Sequence, residues 1–166
     1  MEARKLSEPA RRPFQLSLRI RHPTMDPAEI SRELNMHAEH SFRAGDRRPS
    51  RSGIPDSVYA ESYWIGVLKP VERLIDMSFP GNPQLLLAQQ RLTEEIWSLG
   101  GALGISAAVF FRIHAPALRR MLSEGGQVSL LVTISGSEVN SFTLAPETSR
   151  VFGELGIAVE FELSPD

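Results

Sequence analysis

The chain has no cysteine among its 166 residues, which removes disulfides, thiolate metal sites, iron–sulfur ligation and any cysteine nucleophile in one step. It also lacks a long hydrophobic run. The longest, Gly100 to Phe111, falls well short of the roughly 20 residues that cross a bilayer. Near the N-terminus, Arg11-Arg12-Pro13-Phe14 has the outline of a twin-arginine export signal, but Arg19 and Arg21 interrupt the apolar stretch that such a signal needs. A cytoplasmic protein is the expectation.

Catalytic strings are missing too. No Gly-x-Ser-x-Gly elbow occurs, and Ile134-Ser135-Gly136-Ser137 is a polar turn after a strand. Gly100-Gly101-Ala102-Leu103-Gly104 is glycine-rich, yet the order expected around it is helix then strand, opposite to a phosphate loop. It is expected to terminate a helix. Glu94-Glu95 and Glu160-x-Glu162 fall on expected solvated faces, not in a paired-acid site. His37-Ala38-Glu39-His40 gathers three possible metal ligands, but its two histidines are three residues apart in a loop, unlike the helical His-Glu-x-x-His pattern. No catalytic residue, metal or cofactor is assigned, and the balance of these readings is against an enzyme.

What is present is an ordinary globular composition, 42% hydrophobic and 23% charged, enough for one packed domain. A flexible tail over residues 1–13 and a single domain over 14–166 are expected. The net charge of -2 is uneven, because residues 1–51 carry eleven Lys or Arg against seven acids. That excess is too weak for a nucleic-acid arm.

Phe14-Gln15-Leu16-Ser17-Leu18-Arg19-Ile20 alternates apolar with polar, so a strand is predicted there, ended by His22-Pro23. A helix from Pro27 to about Leu34 follows. Asp26 is its N-cap, Pro27 its first residue, Glu29 sits at the capping-box position, Met25 and Ile30 can staple the cap, and Asn35 is the left-handed terminator. Residues 35–62 lose periodicity and are predicted to be mostly loop, with a strand after them over Tyr63–Leu68. Further expectations are a helix from Pro83 to about Leu99, a central strand over Ile105–Ile113, and a strand over Val128–Ile134. A short strand at Phe142–Leu144, a helix over Pro146–Leu155 ended by Gly156, and a last strand around Ile157–Phe161 complete them. The fold class predicted is α+β, a two-layer sandwich. A mixed or antiparallel sheet of four to five strands carries two to three helices, in a ferredoxin-like or related arrangement.

The distinctive surface feature is Arg43-Ala44-Gly45-Asp46-Arg47-Arg48, followed by Tyr59, Tyr63 and Trp64. Arginine beside exposed aromatics is the composition of a protein-binding patch or anion site. Arg43, Asp46, Arg47, Arg48, Tyr63 and Trp64 are therefore the candidate binding residues. The function expected is a binding module for another protein, an immunity-type partner being one instance. The alternative is a ligand-binding protein or enzyme whose pocket, near the 35–62 loop, is assembled from dispersed residues such as His22, Arg43, Asp46 and His114.

Arg19-Ile20, Asp26-Pro27-Ala28-Glu29-Ile30, Gly45-Asp46, the Trp64 strand and Phe152-Gly153-Glu154-Leu155-Gly156-Ile157-Ala158-Val159-Glu160 together resemble the bacterial family called domain of unknown function 4279. The similarity runs from about Phe14 to Phe161. It implies a small cytosolic α+β protein and brings no activity, since its motifs are short and none is catalytic. The tail and residues 47–58 lie peripheral to the pattern.

Overall fold

The structure, a computed structural model, describes residues 14–49, 57–68, 98–135 and 142–164. The expected tail and nearly all of the expected helix over 83–99 lie outside the described residues.

Alternation in the first strand places Phe14, Leu16, Leu18 and Ile20 on one face of β1 (Phe14–His22), where all four are buried. β1 is also the centre of a five-stranded sheet of order β2-β3-β1-β4-β5, with β2 at His40–Phe42, β3 at Ser62–Val67, β4 at Gln127–Ser135 and β5 at Ala158–Ser164. The first four strands in that order pair antiparallel, while β5 joins β4 in parallel. Among the described residues this is the ferredoxin-like strand order with a further helix-strand unit added at the β4 edge, an α+β sandwich as expected.

The helices follow their local signals. In α1 (Pro27–Leu34), the Asp26 carboxylate accepts from the Ala28 N–H at 2.8 Å, and Asn35 ends the helix at φ 48°. Glu29, at the capping-box position, instead reaches across to Arg120. Also as expected, the helix Pro146–Leu155, here α4, stops at Gly156 in the left-handed region.

Three expectations fail between them. Gly100 and Gly101 lie inside a helix, α2 (Leu99–Ile105), and the run expected to be a central strand is helical as well. It continues as a π-helical turn (Ser106–Phe111), before α3 (Ala115–Ser123). An apolar run without periodicity fits a buried helix as well as a buried strand. The glycines answer a packing demand, since a Cβ on Gly100 would stand 2.7 Å from the Thr143 carbonyl oxygen. Thr143 and its neighbours form no strand, contrary to expectation.

The apolar stripes of all these helices meet the Leu18 face of the sheet. Ile30 and Leu34 of α1, Leu103, Leu118 and Phe152 are buried there with Val128, Leu130 and Val132. Trp64 is the largest fully buried side chain among the described residues, and its indole N–H donates to Ser31 Oγ at 2.8 Å, joining β3 to α1. Among the described residues no single helix is long and apolar enough to cross a membrane.

The other face of the sheet carries Arg19, which pairs with Glu160 of β5 and donates to Ser129 Oγ at 3.2 Å. Hydrogen bonding from Arg19, then from Ser129, holds the Glu160 carboxyl below its ordinary value of 4.5. A lowered carboxylate pKa contributes stability that is present above that ordinary value and lost as pH falls through the folded one. The half-exposed position keeps the effect to ~0.5 kcal/mol. Glu160→Gln is therefore expected to flatten the acid side of the urea-midpoint profile and leave the neutral side lower by a similar small amount. An unchanged acid limb would show that the pair contributes nothing.

Candidate functional site

The stretch 35–62, expected to be mostly loop, carries strand pairing in its described part. His40, Ser41 and Phe42 pair with Ile65, Trp64 and Tyr63, and after a turn the pairing resumes with an Arg47–Val58 bridge and an Arg48 N–H donated to the Ser57 carbonyl at 3.0 Å. The turn is fixed locally. The Asp46 carboxylate accepts from the Arg43 N–H at 3.1 Å, and the Ala44 N–H donates to the buried Ser62 hydroxyl at 3.0 Å. Side-chain capping of this kind supplies the bonds that the interrupted ladder cannot.

Because side chains alternate across a strand, the pairing puts Phe42 beside Tyr63 on the sheet face away from the helices. The two rings stack with centroids 5.1 Å apart, and Tyr59 stacks on Phe42 at 3.7 Å. Arg48 lies over the Tyr59 ring, 5.1 Å from its centroid, a cation–π distance. His40 completes the row with its ring 6.1 Å from Tyr63. A concavity of about 540 Å³ opens beside this row, lined by Pro23, Phe42, Arg48, Tyr59, Ala60 and Glu61.

The candidate residues divide accordingly. Arg43 binds Asp26, the N-cap of α1, at 3.2 Å, and so anchors the ribbon to the helix instead of standing free. Asp46 is used by its turn. Arg47 and Arg48 are exposed, and no carboxylate among the described residues pairs with either. Tyr63 is half-buried in the aromatic row. Trp64 has to be removed from the set: one step along the strand, it points to the opposite face and is completely buried. Phe42 and Tyr59 take its place. Their signal in the sequence is the period-two spacing of His40 and Phe42, which a strand pairing with Tyr63 converts into one aromatic surface.

The residues offered for a dispersed pocket do not converge. His22 is buried, and its Nδ1 accepts from the Thr24 and Met25 N–H groups. Arg43 and Asp46 serve the ribbon, and His114 lies beside Phe110 with ring centroids 4.5 Å apart. Among the described residues no three His, Asp or Glu side chains are grouped so as to hold a metal ion. No family model, curated protein or solved structure matches the chain.

Proposed function

We propose that the protein is a non-enzymatic, cytoplasmic binding module that receives another protein on the aromatic row of the β2–β3 ribbon. The observation behind this reading is Arg48, without a carboxylate partner among the described residues, held over Tyr59 at the end of a stack of three rings beside a concavity. Stacked rings have already lost most of their side-chain freedom, so docking on them costs little further entropy. A guanidinium held over such a ring and, among the described residues, unpaired with a carboxylate is ready for a partner's Asp or Glu. An acidic protein surface, as in an immunity-type complex, suits both features. The resemblance to domain of unknown function 4279 is compatible with such a module and adds no chemistry to it.

The test uses the full-length tagged chain as bait in a lysate of its own source, with Arg48→Glu and Tyr59→Ala carried in parallel. The expected result is one stoichiometric protein partner whose retention falls with salt. Each variant should weaken that retention by about tenfold or more, as loss of a central anchor does. Wild-type bait that retains no stoichiometric partner would refute the reading, and so would variants that retain it equally. Retention of nucleic acid in place of protein would refute it too.

A further inference from the structure

Tyr59 lies outside the strands of the sheet, yet it carries one end of the aromatic row, stacked on Phe42 and beneath Arg48. Its backbone is held by the turn over residues 43–46. The Tyr59 carbonyl accepts from the Gly45 N–H at 2.8 Å, and the Tyr59 N–H donates to the Asp46 carbonyl at 3.0 Å. His40, Phe42 and Tyr63, by contrast, stand on β2 and β3 themselves. Where the turn sits therefore decides where the Tyr59 ring sits.

The turn is tied to the body of the protein at two points. At the first, the Ala44 N–H donates to the hydroxyl of Ser62, a fully buried residue of β3 paired with His22 of β1. At the second, the Arg43 guanidinium reaches one carboxylate oxygen of Asp26 at 3.2 Å, while the other oxygen of Asp26 caps α1 through the Ala28 N–H at 2.8 Å. Asp26 thus serves two elements at once, with a separate oxygen for each. Inside the turn, Gly45 stands at φ 87°, a left-handed conformation that other residues adopt only with strain. A Cβ on Gly45 would meet nothing within 4 Å, so the demand there is one of conformation and not of space.

We propose that Ser62, Arg43 and Asp26 are positioning residues for the aromatic row: they hold the turn against β3 and α1, and through it fix Tyr59 on Phe42 beneath Arg48. Arg43, a candidate for direct binding by residue type, acts instead through Asp26. Side chains that order a binding surface in advance lower the entropy cost of docking, so their loss weakens binding without removing a contact. The consequence for a partner rests on the reading of the row as its binding site. The placement of Tyr59 does not, and it is measured in the free protein.

The free, full-length chain is followed by NMR. The readouts are the Tyr59 ring-proton shifts, displaced by the Phe42 ring 3.7 Å away, and the exchange of the Gly45 and Tyr59 amides, with β1 and β4 amides as reference. Ser62→Ala removes the acceptor of the Ala44 N–H, so it should speed exchange of both amides about fivefold to tenfold and move the Tyr59 shifts toward free-tyrosine values. Arg43→Ala and Asp26→Asn break an exposed pair and should each speed exchange about twofold, Asn at position 26 keeping the helix cap. Their combination should do no more than either alone, and Arg43→Lys should restore most of the wild-type behaviour. Gly45→Ala strains the turn and touches neither anchor, so it should act in the same direction as Ser62→Ala even if that variant fails to fold. Toward the stoichiometric partner, Arg43→Ala and Asp26→Asn should lower affinity alike, by about twofold. A folded Ser62→Ala, Gly45→Ala or Arg43→Ala variant with unchanged Tyr59 shifts and exchange would overturn the proposal whether or not a partner exists. So would a partner weakened by Arg43→Ala and indifferent to Asp26→Asn, the signature of direct contact. Displaced Tyr59 shifts with no partner retained would support the positioning and remove the binding reading alone.

Discussion

Trp64→Ala is expected to destabilise the protein by about 4 kcal/mol, the largest single effect the structure implies for a side-chain truncation. The indole is completely buried between β3 and α1, so its removal leaves a void in a close-packed core and takes away the donor to Ser31 Oγ. In a domain whose whole stability is on the order of 5–15 kcal/mol, that loss lowers the melting temperature by roughly 10 °C or unfolds the chain outright. Trp64→Phe separates the two contributions. It retains most of the apolar volume and loses the 2.8 Å hydrogen bond, so a cost of about 1–2 kcal/mol is expected. Adding Ser31→Ala to the Trp64→Phe variant should then cost little more, because the partner of that hydroxyl is already gone. Urea denaturation of wild type, the two single variants and the double variant checks this, and a Trp64→Ala cost under ~1.5 kcal/mol would mean that the core closes around the missing ring.

The second large effect is expected at His22, for a different physical reason. The chain turns from β1 into α1 within a few residues, and this leaves the N–H groups of Thr24 and Met25 without backbone partners. The His22 Nδ1 accepts both, at 3.2 and 2.9 Å, from a side chain only 2% exposed. With Nδ1 as acceptor the ring proton sits on Nε2, which finds no hydrogen-bond partner among the described residues and lies 3.5 Å from a Glu124 carboxylate oxygen. His22→Ala orphans two donors, the Met25 N–H buried and the Thr24 N–H part-buried, and removes a packed ring, at an expected cost of about 3 kcal/mol. His22→Asn places an amide oxygen close to the Nδ1 position and should recover more than half of that loss. If Asn is no better than Ala, the ring's volume matters and its acceptor does not. Glu124→Gln, which removes the nearby charge, should change stability by less than ~0.5 kcal/mol.

Much of the architecture is legible in local chemistry. The β1 alternation, the Asp26-Pro27 start and Asn35 stop of α1, and the Pro146 to Gly156 limits of α4 are each set within a few residues, because periodicity and backbone capping are local properties. The glycine-rich region shows where local reading fails. Gly100 lies inside a helix, where the backbone at Thr143 comes within reach of its missing Cβ, and nothing near Gly100 in the chain announces a residue 43 positions away. The segment 105–113 is apolar without period, so its state depends on what surrounds it.

The candidate surfaces follow the same division. Arg47, Arg48 and the tyrosines stand out by residue type alone, and that is what made them candidates in the sequence. Which of them share a face was decided only by the tertiary structure. The register Phe42 to Tyr63 and Ser41 to Trp64 turns one tyrosine outward into an aromatic row and the adjacent tryptophan into the core. A shift of one residue would exchange them, because side chains alternate with a period of two.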